Sequence, residues 1–228
     1  MKSRCLSLQY EVNKYSNTIK DRKDCIRVIL ETVRSLLYNS GVVSESLCKY
    51  PYLKLVVNNQ SRIYVFLSDS KFYSFSFNCQ IEIEHESSNV LSIYTKNGIN
   101  CTFPLLSQAL SIISEIRNGS LYDVYSSLDD EDITNDQAYR LLDFFWGSEL
   151  GYLRYDYDKK NHNGLIHPLN HFDVNITEQA HYKIGLEGKI TPAEFENIVN
   201  EETDCFFLVD YQRIKSRIKF PLRKRKRS

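Results

Sequence analysis

Residues 71–85 read KFYSFSFNCQIEIEH, and their alternation is the clearest regular signal in the chain. Tyr73, Phe75 and Phe77 fall on one side, with Phe72, Ser74 and Ser76 on the other. The pattern continues as Ile81 and Ile83 against Glu82 and Glu84. A period of two with one apolar face predicts a β-strand in an antiparallel sheet whose other side is wet. Similar runs flank it, YLKLVVN at 52–58, RIYVFLS at 62–68 and VLSIYTK at 90–96, so residues 50–103 read as a β-meander. KNGI at 96–99 predicts a hairpin, because Asn-Gly tolerates the positive φ of a type I′ turn. Its arms are LSIYT and NCTF.

Outward from the meander the period changes to that of helices. Ile19, Ile26, Ile29, Leu30, Val33, Leu36 and Leu37 recur at helical spacing and predict a helix over 18–39, capped by Asn17 and stopped by NSG. A second helix is predicted over 105–117, with Leu106, Ala109, Leu110, Ile113 and Ile116 inward and an Asn-Gly stop. The acidic SLDDEDIT at 127–134 reads as a solvated linker and lacks the central glycine and alternating oxygens of a calcium loop. Thr134 opens a third helix with Ala138, Leu141, Leu142 and Phe145 buried. A fourth begins at TPAEFENIVNEE, with Thr191 as N-cap, Pro192 in the first turn and Glu194 completing a capping box. CFFLVDY at 205–211 reads as a strand. The 16 Tyr and 12 Phe favour sheet, and 8 Gly and 5 Pro leave little for long loops. The expectation is an α+β protein with antiparallel sheets flanked by about four helices. One lobe would cover 1–127, a second 133–212, and a basic tail 213–228.

The second lobe holds the chemistry. Four of the five histidines, His162, His167, His171 and His181, lie within twenty residues. If LRYDYD (153–158), HFDVN (171–175) and HYKIGL (181–186) are strands, their alternate residues share one polar face: Arg154, Asp156, Asp158, His171, Asp173, His181 and Lys183. His167 and Pro168 would sit at its rim. Antiparallel sheets often have a solvated face, but Asp and Asn are depleted in strands because they compete for the backbone. Their density here points to function. Two chemistries fit. Asp156, His171 and Asp173 suit a divalent metal such as Zn, Mn or Fe. Alternatively, His167, His171 and Asp156 act as metal-free acid, base and orienter, while Arg154 and Lys183 neutralise a phosphate.

The order of these pieces resembles that of several uncharacterised bacterial families encoded near toxin–antitoxin and phage-defence genes. The shared elements are RYDYD (154–158), HPLNHFD (167–173), YKIGL (182–186) and TPAEF (191–195), spanning about residues 150–202. The resemblance carries over Asp156, His167 and His171. Asp173 stands where those families commonly have a third histidine, and Lys183 where they have arginine.

Charge divides the chain. Nine of the 29 basic residues lie in RIKSRIKFPLRKRKRS (213–228), which contains no acid, so the remainder carries 20 bases against 29 acids, a balance of −9. Lys224 and Arg225 lead the candidates for nucleic-acid contact, through counterion release. Cysteines 5, 25, 48, 79, 101 and 205 form no CxxC and predict reduced thiols, with Cys25 and Cys101 in apolar settings. No apolar run suits a membrane span, and MKSRCLSLQYEVNKY does not resemble a signal peptide, so a cytoplasmic location is expected. The function expected from the whole is a defence or toxin-type effector that cleaves nucleic acid. The alternative is a non-catalytic module that recruits a protein or nucleic-acid partner. The catalytic version requires His167, His171 and Asp156 to converge.

Overall fold

The run at 71–85 forms two strands in two sheets. Strand β5 (Lys71–Ser76) ends before Phe77, and β6 (Cys79–Ile83) starts after Asn78 and pairs with β7 (Val90–Thr95) as a separate hairpin. Alternation persists through both pieces, so periodicity could not reveal the break. The computed structural model describes residues 2–7, 19–38, 42–43, 45–57, 61–83, 90–116, 136–177, 180–200 and 203. Asn17, the Asn-Gly at 118–119, the acidic segment, Thr134, the strand expected at 205–211, and the tail with Lys224 and Arg225 lie outside the described residues.

Among the described residues the main sheet has eight strands, all paired antiparallel. Its members are β1 (Lys2–Ser7), β2 (Val42–Val43), β3 (Tyr52–Val57), β4 (Arg62–Ser68), β5, β8 (Leu153–Tyr157), β9 (Asn170–Val174) and β10 (Tyr182–Leu186). Their order across the sheet is β10-β9-β8-β5-β4-β3-β1-β2. Among the described residues the α-helices are α1 (Arg22–Leu37), α2 (Phe103–Glu115), α3 (Asp136–Gly147) and α4 (Pro192–Val199). The protein is α+β, as expected. The two expected lobes, however, share this sheet: β5 pairs with β8 across the predicted boundary, and α3 packs in one core with α1 and α2.

In the main sheet the meander strands β3–β5 do not have a wet side, whereas β6 keeps the expected one, with Gln80 and Glu82 exposed. On one face Leu53, Leu55, Ile63, Val65, Tyr73 and Phe75 pack beneath α1, α2 and α3. On the other, Val56, Tyr64, Phe66, Phe72, Tyr155 and Phe172 surround Phe195 of α4. Phe72, expected on the polar side, is fully buried there. A strand buried on both faces reads as a nearly continuous apolar run, which RIYVFLS is.

Local signals mostly act where the sequence puts them. Thr191 accepts from the Glu194 backbone N–H at 3.2 Å, and Glu194 accepts in return from the Thr191 N–H at 2.7 Å. Ala138, Leu141, Leu142 and Phe145 are buried. Helix α1 begins later than expected, because Asp21 takes the cap and accepts from the Asp24 N–H at 2.9 Å. Ile19 is buried although it precedes the helix. At the hairpin only Gly98 has positive φ, at 88°, and its N–H donates to the Thr95 carbonyl at 2.9 Å. That geometry excludes a type I′ turn, which needs positive φ at both central positions. Cys25, Cys79 and Cys101 are free and buried, whereas Cys48 is disulfide-bonded, contrary to the reduced set expected. Spacing along the chain does not report which distant thiols meet. Among the described residues no helix is long and apolar enough to cross a membrane.

Candidate functional site

Strands β8, β9 and β10 extend the sheet past its helical cover. The face that is apolar under α1 and α3 becomes polar here, because the same alternation now delivers charged residues. Pairing sets two neighbouring rows on that face. One runs Lys71, Asp156, His171, Gly185, and the other Tyr73, Arg154, Asp173, Lys183. The opposite side chains, Tyr155 and Phe172, sit in the second core. Tyr182, expected inward, is exposed, because it stands at the start of the edge strand.

Asp173 is the centre of the group, with its side chain 1% exposed. Arg154 Nη2 and Lys183 Nζ donate to its two oxygens, and His181 Nε2 lies 2.8 Å from Oδ1. Burial pushes the Asp173 carboxyl upward. The hydrogen bond from Lys183, with the charges of Arg154 and Lys183, outweighs it and holds the group far below the usual carboxylate range. Arg154 also places Nε 2.7 Å from Asp156 Oδ2, as an ion pair without hydrogen-bond alignment. Lys71 Nζ is 3.7 Å from the other Asp156 oxygen. Burial lowers the Arg154 pKa, but Asp156, Tyr152 and Asp173 raise it further, so the guanidinium stays charged.

His171 is buried and its tautomer is fixed by its neighbours. Nδ1 lies 2.8 Å from the Pro168 carbonyl, which can only accept, so Nδ1 carries the proton. Nε2 lies 3.1 Å from Lys183 Nζ, which can only donate, so Nε2 presents its lone pair. Its 3.5 Å separation from Asp173 Oδ2 is then a contact bridged by the lysine. Gly185 makes room for this arrangement: a Cβ there would meet Pro168 Cγ at 3.0 Å.

His167 stands beside this network. Its ring meets that of His171 edge-on at 4.7 Å between centroids, but its Nε2 pairs with Asp158 at 3.2 Å. Asp158 closes the 158–167 loop, accepting from Asn161 Nδ2 at 2.8 Å and from the Lys160 and Asn161 N–H groups. Hydrogen bonds from Asn161, more than the nearby His167, hold its pKa at about 2. Asp156 and His171 therefore converge with Arg154, Asp173 and Lys183, while His167 and Asp158 form an adjoining pair.

His181 is the residue that the sequence reading placed on this face without assigning it a role. Its side chain is 37% exposed and lines a cavity of about 450 Å³ with Lys20, Tyr152, Arg154, Asp173 and Ile176. With the neutral ring's proton on Nε2 toward Asp173, Nδ1 of His181 carries the lone pair. Strand β9 stops at Val174, one residue before the end expected from HFDVN. Asn175 then adopts φ 63°, and its Nδ2 donates to the Ala180 carbonyl at 3.1 Å, which turns the chain toward His181. The only advance signals for this position were a histidine in register with Lys183 and an Asn after the strand.

The ligand atoms of Asp156, His171 and Asp173 lie within 4.8 Å of one another, the spacing of a metal-binding set. The set does not suit a metal as it stands. Arg154 and Lys183 hold both oxygens of Asp173, and Lys183 also faces the His171 lone pair. Three cations, Lys71, Arg154 and Lys183, already face two carboxylates.

No protein-family model, curated protein or solved structure matches the chain.

Proposed function

We propose that the protein cleaves phosphodiester bonds in nucleic acid, with His181 as general base and Asp173 as its orienting partner. The observation that carries this reading is the 2.8 Å contact between Asp173 and a half-exposed His181 at the mouth of a cavity bearing Lys20 and Arg154. A buried carboxylate behind an imidazole fixes its tautomer and steadies the imidazolium that forms on proton uptake. The polar face has one more lysine or arginine than carboxylate, which favours an anionic substrate. In the reaction, His181 Nδ1 removes a proton from water as the water oxygen attacks phosphorus. The bond to the leaving oxygen breaks, and that oxygen takes a proton from solvent. Arg154 and Lys20 meet the non-bridging oxygens. His171 and Lys183 act by holding Asp173. The basic segment 213–228 supplies salt-sensitive attraction to the polymer.

The test is incubation of the purified full-length protein with RNA, single-stranded DNA and duplex DNA, with and without Mn²⁺. Cleavage by the wild type should be lost in His181→Gln and retained in His162→Gln, whose ring lies in the exposed 158–167 loop. The absence of cleavage on all three substrates, or its persistence in His181→Gln, overturns the proposal. Salt-sensitive binding without turnover would leave the recruiting-module reading, which the internal satisfaction of the Asp173 network favours.

A further inference from the structure

We infer that the Lys183 ammonium is the resident cation of the Asp156–His171–Asp173 triangle and keeps divalent metal out of it. The triangle has several properties of a metal site. Its three ligand atoms lie within 4.8 Å. The imidazole donates its remote N–H to a backbone carbonyl, the support that orients metal-bound histidines. The lone pair on Nε2 is thereby aimed inward. What it meets is Lys183 Nζ at 3.1 Å, which also donates to Asp173 Oδ1.

Electrostatics make the occupancy exclusive. Lys71, Arg154 and Lys183 against Asp156 and Asp173 leave one positive charge in excess. A divalent ion added to that group would raise the excess to three, within contact distance and largely out of water, where repulsion is weakly screened. Removing the lysine charge leaves two carboxylates and a preoriented imidazole beside Lys71 and Arg154, with no net charge. That is an acceptable N/O ligand set for Mn²⁺ or Zn²⁺. Lys183 is thus a positioning residue: it holds Asp173 and His171 in the way a metal would, while the carboxylate keeps its contact with His181.

The experiment is titration of full-length protein with Mn²⁺, followed by electron paramagnetic resonance of the free ion and by calorimetry. Mn²⁺ is the probe because it prefers oxygen and imidazole and the free thiols do not compete for it. Wild type and Lys183→Arg should show no one-to-one site. Lys183→Met, which keeps most of the stem, should gain one, at least about tenfold tighter than any wild-type binding. Adding His171→Ala to Lys183→Met should remove it. A wild-type site that Asp173→Asn abolishes overturns the inference, as does a folded Lys183→Met that gains no site. Should Lys183→Met fail to fold by circular dichroism, Lys183→Gln takes its place and the wild-type titration still decides. The readout is metal binding, so it stands apart from whether nucleic acid is cleaved.

Discussion

Arg154 and Asp173 are direct cross-strand partners on β8 and β9, and their side chains close an ion pair within the sheet face. The pair joins two rows of charge, since the same guanidinium reaches Asp156. Removing Asp173 strips Lys183 of its carboxylate and leaves Arg154 with Asp156 alone. Asp173→Asn should therefore lower unfolding free energy by about 3–5 kcal/mol in chemical denaturation. A loss under about 1 kcal/mol would mean that solvent already reaches the network.

Acid should dismantle the same interaction. An aspartate in an unfolded chain titrates near about 3.9, and Asp173 is held far lower in the folded protein. Its stabilising contribution is fully present above the unfolded value and disappears as pH falls toward the folded one. The difference in Tm between wild type and Asp173→Asn should narrow steadily from about pH 4 downward. A difference that grows with acidity contradicts the assignment.

The left-handed turn at Asn175 governs where His181 sits. Asn175→Gly should preserve the backbone, since glycine adopts φ 63° freely, and should leave stability within about 1 kcal/mol. Asn175→Val should cost more than 1–2 kcal/mol, because a β-branched residue at positive φ is strained. Thermal melts of the two variants measure the difference. Cleavage, where it is observed, should follow the same order.

Gly185 sits under Pro168, whose carbonyl receives the His171 proton. A methyl group there forces Pro168 outward by a few tenths of an ångström. Gly185→Ala should shift the His171 imidazole resonances in NMR while those of His162 stay in place. Unchanged His171 signals would show that the proline yields without moving its carbonyl.

Phe195 anchors α4 to the sheet, with ring centroids 5.0 Å from Phe72, 6.2 Å from Phe172 and 6.4 Å from Tyr64. Phe195→Ala should cost about 3–5 kcal/mol. Thr191→Ala, which removes the cap of the same helix, should cost about 1 kcal/mol. Equal losses would mean that helix formation, not ring burial, limits the stability of this layer.

Residues 153–186 illustrate what periodicity conveys. Alternation alone placed Arg154, Asp156, His171, Asp173 and Lys183 on one face, and the structure has them there in two rows. It set His167 at the rim, where it stands, but it also put Asp158 on the face, and Asp158 lies past the end of β8 and pairs with His167 instead. It could not rank His181 above the other histidines, since that depends on a cavity formed partly by Ile19 and Lys20, more than 130 positions earlier. The same limit applies to 71–85, where one alternating run serves two sheets.

Local chemistry wrote the elements: the cap at Thr191, the helical stripes, the strand faces and the α+β class follow from side-chain period and hydrogen-bonding habit, which are properties of short segments. Tertiary structure decided everything that depends on neighbours brought from afar. It set β8 against β5 and merged two expected lobes, buried both faces of β3–β5, and put a lysine where the residue types alone suggested a metal. Those outcomes follow from burial and charge balance among segments distant in the chain, which no single stretch encodes.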